Sequence, residues 1–178
     1  MIYKYAKQLF LFEKRAIQKS EKLALKAGEL DSENPKILRL LADICIRQNN
    51  HLDAIKHLEY AARLQFYDDE CTGKTRAKPF FMIGKCYEHL AHKNFYSIQA
   101  YKKCLELDQS HHQASFRLAH ILNEVDEGLH AIKYFDNALK VMPDYTEAHF
   151  GLMEANVDHV SEKGEAAMKH YQDKYVHE

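Results

Sequence analysis

Tryptophan is absent from the 178 residues, and only six glycines and three prolines occur. So few breakers, in a sequence rich in Ala, Leu, Lys and Glu, point to an all-helical chain rather than a turn-dense one. Charge of one sign is lacking as well: 25 basic residues face 26 acidic ones, for a net charge of -1. That balance removes any global electrostatic pull toward nucleic acid or an anionic membrane and leaves only local patches to consider. No run of about 18 apolar residues exists, so nothing in the sequence is built to span a bilayer. The four cysteines (Cys45, Cys71, Cys86, Cys104) show no C-x-x-C or zinc-like spacing. Three of them fall on apolar helix positions, where a free thiol acts as a small hydrophobe. Reduced thiols in a cytoplasmic-type compartment are therefore expected. No secretory signal is visible. The opening "MIYKYAKQLFLFEKRAIQKS" is basic and apolar in the manner of a mitochondrial targeting segment, but Glu13 and its fit to the repeat described below favour a folded helix pair.

Motifs that carry chemistry are equally scarce. Gly73-Lys74-Thr75 matches the tail of a phosphate-binding loop, but Asp68 stands where that loop needs its first glycine, and the preceding "ARLQFY" is no buried strand. Twelve histidines raise the question of a metal. His89 and His92 lie three apart and His111-His112 adjoin, yet the "EH" order reverses H-E-x-x-H and no third ligand follows at helical spacing. They read as surface or turn histidines, with a pH response near neutrality as the alternative. No nucleophile elbow, glycine-rich fingerprint or fixed carboxylate pair is apparent. The expectation is a protein that is not an enzyme and has no cofactor and no metal.

What the sequence does contain is self-similarity. A small residue, a large apolar one four later and a small one three after that recur as Ala54-Leu58-Ala61, Ser97-Tyr101-Cys104 and Ala131-Phe135-Ala138, with a weaker copy at Ser20-Ala24-Ala27. Their starts differ by 34, 43 and 34 residues. Spacings of four and three put each trio on one helical face, and the small members let a neighbouring helix approach closely. From the second unit on, each trio has an amphipathic segment before it: Leu38, Leu41, Ala42, Cys45; then Phe80, Ile83, Gly84, Tyr87; then Ser115, Leu118, Ala119, Leu122. A fifth unit reads His149, Leu152, Met153, Asn156, followed by "GEAAMKHY" with Ala166 or Ala167 as its small residue.

This pattern resembles the tetratricopeptide repeat (TPR), W-x2-L-G-x2-Y…A-x3-F…P over 34 residues. "FFMIGKCYEHL" with "SIQAYKKCLELDQ" is the best copy, and Pro143 ends the fourth. The absence of tryptophan, the small Ala24, and Ser32 and Gln109 in place of proline are departures that bear on packing at the ends. The resemblance implies an all-α solenoid of TPR-type helical hairpins wound as a right-handed superhelix. We place units at about 1–34, 35–64, 77–109, 112–143 and 146–176, with ten helices near 2–13, 15–29, 35–47, 51–64, 77–90, 95–107, 112–124, 128–140, 146–158 and 162–176. Asn34-Pro35 is a helix start with cap and first-turn proline. "RQNNH" and "VDEG" supply polar turns. The 43-residue step leaves nine extra residues, one in "HLAHKNF" and eight in an insertion at 65–76, "DDECTGKTR" included. That insertion reads as a surface loop available to a partner, with a lengthened helix followed by a polar turn as the alternative. Cys71 within it is the thiol expected to react first.

TPR proteins use the groove lined by the first helix of each pair, so the resemblance implies a binding surface there. The corresponding positions are Lys36, Arg39 and Asp43; Lys78, Phe81, Met82 and Lys85; Gln113, Phe116, Arg117 and His120; and Glu147, Phe150 and Glu154. Phe81, Phe116 and Phe150 align in successive units. Flanked by Arg and Lys, they suit a peptide with hydrophobic and acidic side chains. The competing reading packs these rings against the next repeat. The carboxylate clamp of TPR co-chaperones is not expected: Arg39 and Arg117 suit it, but Asp43 and Met82 replace asparagines and Gln113 a lysine. The function implied is a noncatalytic protein-protein interaction scaffold within a multiprotein complex, in a cytoplasmic or, as second choice, mitochondrial setting. An RNA-binding helical-repeat protein is the alternative. Without extra capping helices in the sequence, the chain reads as an excerpt of a longer TPR protein or as one whose ends dock onto other subunits.

Overall fold

The computed structural model describes residues 2–158 apart from Asp69, His92, Lys93 and Asp126. Among them are eight helices and no strand: α1 (Ile2–Leu30), α2 (Pro35–Arg47), α3 (His51–Phe66), α4 (Gly73–Glu88), α5 (Asn94–Leu107), α6 (His112–Glu124), α7 (Gly128–Val141) and α8 (Thr146–Asp158). They divide between two compact units, Met1–Lys93 and Asn94–Glu178, so the boundary falls between the two helices that the sequence assigns to its third hairpin. Within the first unit α1 packs on α2, α2 on α3 and α3 on α4; within the second, α5 packs on α6, α6 on α7 and α7 on α8.

The small-large-small trios are where these helices meet. Ala54, Leu58 and Ala61, Ser97, Tyr101 and Cys104, and Ala131, Phe135 and Ala138 all have 0 % exposure. Burying a side chain such as Leu58 or Phe135 contributes about 1.5–3 kcal/mol. In the weak first copy only Ala24 is buried, while Ser20 is exposed and Ala27 half-buried. The first-helix segments follow suit: Leu38, Leu41 and Ala42, then Ile83 and Gly84, then Ser115, Leu118, Ala119 and Leu122 are buried.

Local signals fix the ends. Asn34 accepts from the Lys36 N–H at 3.0 Å and Pro35 opens α2. α2 closes with a Schellman motif: Asn49 sits at φ 58, the Asn50 N–H reaches the Cys45 carbonyl at 2.8 Å, and the Asn49 N–H reaches that of Ile46 at 3.0 Å. Asn50 then caps α3 through the Asp53 N–H.

Three expectations change. First, the two helices placed at 2–13 and 15–29 are one, because no Gly, Pro or Asn interrupts "FEKRAIQK". With that fusion the described residues hold eight helices rather than ten; the helix expected at 162–176 lies outside them. Second, α3 continues through Phe66 and α4 starts at Gly73, narrowing the 65–76 connection to 67–72. Thr72 is the reason: its hydroxyl accepts from the Thr75 N–H at 3.3 Å, so Gly73-Lys74-Thr75-Arg76 becomes a first helical turn ahead of the buried Pro79. Third, the buried face of α8 carries Ala148, Gly151, Leu152 and Ala155, while His149 and Asn156 are half-buried and Met153 exposed. Gly151 faces the Phe135 ring of α7, which turns the helix from the expected register.

That contact makes two glycines behave oppositely. A Cβ at Gly151 would lie 2.5 Å from Phe135 Cε1, whereas one at Gly28 meets only Ile37 and Leu41 near 4 Å. Gly151→Ala is therefore expected to destabilise by about 1–3 kcal/mol through overpacking. Gly28→Ala should stabilise by about 0.5–1 kcal/mol through helix propensity. Urea unfolding of the two variants against the parent chain measures both, and equal midpoints would contradict this packing.

Candidate interaction face

In the first unit the positions assigned to a binding face occupy α2 and α4. Lys36 and Asp43 on α2 are exposed, and Arg39 is half-buried. On α4, Lys78 and Lys85 are exposed while Phe81 and Met82 are half-buried. The residues 78, 81, 82 and 85 share one helical face by their spacing, opposite the buried Ala77, Pro79, Ile83 and Cys86. The Lys85 ammonium lies over the Phe81 ring, 5.9 Å from its centroid, a cation–π placement. Asp43 raises the Cys86 thiol pKa, although burial is the larger cause of its rise to about 11.

In the second unit the candidate residues separate. Phe116 is half-buried among the next elements of its own unit, with ring centroids 6.0 Å from Phe135 of α7, 5.0 Å from Tyr145 and 6.3 Å from His120. Of its two readings, internal packing is the one observed. Arg117 is half-buried and lies near enough to Tyr145 to lower its pKa, against the burial and the Glu147 carboxylate that raise it. Gln113 is exposed, as are His120, with Nδ1 3.4 Å from Glu124 Oε1, and Glu147 and Glu154. Phe150 is 60 % exposed on α8, with Met153 and Val157 (each 49 %) at positions three and seven further on.

The connection between α3 and α4 is not a slack loop. Asp68 organises it: its Oδ1 accepts from the Glu70 N–H at 3.0 Å and its Oδ2 from the Cys71 thiol at 3.1 Å, while the Arg76 guanidinium donates to its carbonyl at 2.7 Å. Beside it Phe66 (67 % exposed) and Tyr67 (83 %) stand in edge-to-face contact at 5.5 Å. Sequence reasoning missed this pair because both rings fall after the last buried position of α3. It also missed the stacking of His51 on His89, with centroids 4.7 Å apart, which joins the start of α3 to the end of α4. Burial, then the His89 charge, lower the His51 pKa. Among the described residues no group of three His, Cys, Asp or Glu is placed to hold a metal; His92 lies outside them.

The Cys71 thiol is held toward its protonated form. Its hydrogen bond to Asp68 is the largest cause of a raised pKa, followed by burial and the Asp68 charge, against smaller opposite effects of Arg76 and Arg39. Burial likewise raises Cys45 and Cys86.

Compared by sequence, the chain matches no family model and no curated protein. By fold its likeness is extensive. A crystal structure of MamA superposes with a TM-score of 0.71 at 16 % identity, covering 92 % of this chain and 94 % of that one. YrrB, described as a TPR protein with an unusual peptide-binding site, gives 0.67 at 17 % identity, covering 92 % and 80 %. The first TPR of Spaghetti (RPAP3), bound to the HSP90 peptide SRMEEVD, gives 0.63 at 17 % identity, covering 74 % and 97 %. The fold is therefore that of the TPR-type helical-repeat proteins: all-α, built of hairpins packed through small residues. Among the described residues no helix is long and apolar enough to cross a membrane.

The Asp68 cage makes a prediction of definite sign. Asp68→Asn removes the anion that favours the neutral thiol, so the Cys71 pKa falls and its thiolate fraction at pH 7.5 rises. Iodoacetamide labelling of Cys71, followed by peptide mass spectrometry, should accelerate several-fold. An unchanged or slower rate would show that Asp68 does not control the thiol.

Proposed function

We propose that this chain is a noncatalytic interaction module that binds a peptide, or a subunit of a larger assembly, through its first-helix faces. The observation that carries the reading is on α4, where the Lys85 ammonium lies over the half-buried Phe81 ring and exposed Lys78 shares that helical face by its spacing. A half-buried aromatic with cations at its rim fits a ligand that presents an apolar side chain next to a carboxylate. The thiols whose pKa is shifted are all moved toward the protonated, unreactive form, which also favours binding over catalysis. Four free cysteines suit a reducing, cytoplasm-like compartment.

Capture from native extract tests the face. Lys78→Glu/Lys85→Glu changes two exposed residues and should leave the thermal melt intact while removing the bound proteins by about tenfold. Recovery of the same proteins at wild-type level would end the claim for this face. If RNA is recovered instead, lost with salt and with the same lysines, the RNA-binding reading takes its place.

Specificity within the fold is testable too. Exposed Asp43 lies where a carboxylate clamp needs a neutral amide, and its charge opposes a peptide C-terminus. The peptide SRMEEVD, which the RPAP3 domain holds, is expected to show no binding by calorimetry at about 100 μM, a concentration that detects ordinary peptide affinities. Micromolar binding abolished by Arg117→Ala would overturn this.

A further inference from the structure

The first unit carries two exposed surfaces of opposite character. One is the basic, aromatic face of α2 and α4. The other is the α3–α4 connection, where Phe66 and Tyr67 are 67 % and 83 % exposed and are followed by acidic Asp68 and exposed Glu70. The first asks for an apolar side chain beside a carboxylate; the second presents aromatic side chains beside one. We propose that Phe66, Tyr67 and Glu70 of one copy of this chain dock on the Phe81–Lys85 face of a second copy. The inference rests on the reading of that face as a binding surface and names one occupant for it.

Three features favour this occupant. Charge is complementary, since exposed Glu70 is acidic and the exposed Lys78 and Lys85 of α4 are basic. Glu70 is tied before docking: its N–H donates to Asp68, which also accepts from the Cys71 thiol, and the Arg76 guanidinium donates to the Asp68 carbonyl. Little ordering entropy then remains to be lost on binding. Finally, Asp68 spends its carboxylate inside the loop, leaving Glu70 exposed to a partner. Docking a short segment buries less than a standard interface, so the association is expected to be weak and reversible.

Sedimentation equilibrium over about 10 μM to 1 mM, the range for so small a contact, is the test. The weight-average mass of the parent chain should rise with concentration and fall back at high salt. Phe66→Ala/Tyr67→Ala, Glu70→Lys and Lys85→Glu should each weaken association by about fivefold or more. Glu70→Lys and Lys85→Glu, each poor alone, should associate when mixed, because the lysine loop of one then meets the glutamate face of the other. Leu129→Ala, at an exposed position of α7, should leave the mass curve unchanged. A chain that stays monomeric throughout, a mixture no stronger than its components, or loss of association in the α7 variant instead would each overturn the proposal. If association is absent yet Lys78→Glu/Lys85→Glu still loses its captured proteins, self-docking alone is wrong. If Glu70→Lys associates poorly but captures as the parent does, the loop serves self-docking and the captured proteins need only the α4 face.

Discussion

Alanine methyl and serine hydroxymethyl groups set the distance at which these helices meet. On α3, Leu58 projects between Ala54 and Ala61, and all three are sealed from solvent. Tyr101 and Phe135 occupy the same place on α5 and α7 between equally small neighbours. A large side chain flanked by small ones one turn away on the same face forms a knob with hollows beside it. That relief lets adjacent helices approach toward the short end of the usual 8–10 Å. Gly151 carries this to its limit, for the Phe135 ring occupies the space a Cβ would need. The remaining structure depends on this spacing, because each helix buries its apolar face chiefly against its neighbours in sequence.

A core assembled in this way spreads over many thin contacts and leaves other faces uncommitted. The exposed lysines and half-buried Phe81 of α4 are possible because Ala77, Pro79, Ile83 and Cys86 on its opposite side hold the helix. The same division explains Phe116. Its ring lies within reach of Phe135 and Tyr145, so an aromatic that aligns with Phe81 in sequence is used for packing rather than display. Aligned positions share geometry; whether a neighbour comes near is a separate matter.

The middle of the chain was therefore legible, since periodicity names the buried positions wherever both partners of a contact follow the pattern. The trios at 54–61, 97–104 and 131–138 are buried without exception. Boundaries were less so. Continuous α1 follows from the lack of any breaker near residue 14, a signal outweighed in the reading by the expectation of paired helices. The early start of α4 depends on a single threonine hydroxyl, which the spacing of the repeat does not reveal. On α8 the register was set by one ring of another helix, which periodicity within α8 does not encode. The candidate face was legible in residue type on α2 and α4, but the Phe66–Tyr67 pair was not, because exposure of an apolar residue is decided by what fails to cover it.

The α3–α4 connection brings these levels together. The eight residues that this connection holds beyond the 34-residue period end as a longer α3, an added turn of α4 and a six-residue link, rather than as one long loop. Once Thr72 starts the helix at Gly73, the chain between Phe66 and Thr72 is too short to fold back over the two rings, and Asp68 takes up the free donors of Glu70 and Cys71. The carboxylate that stabilises the turn also keeps Cys71 protonated. One acidic residue thus quiets the only thiol in the connection and holds its neighbours in place, leaving exposed aromatics on a fixed support. Such a feature offers shape and charge to a partner and little reactivity.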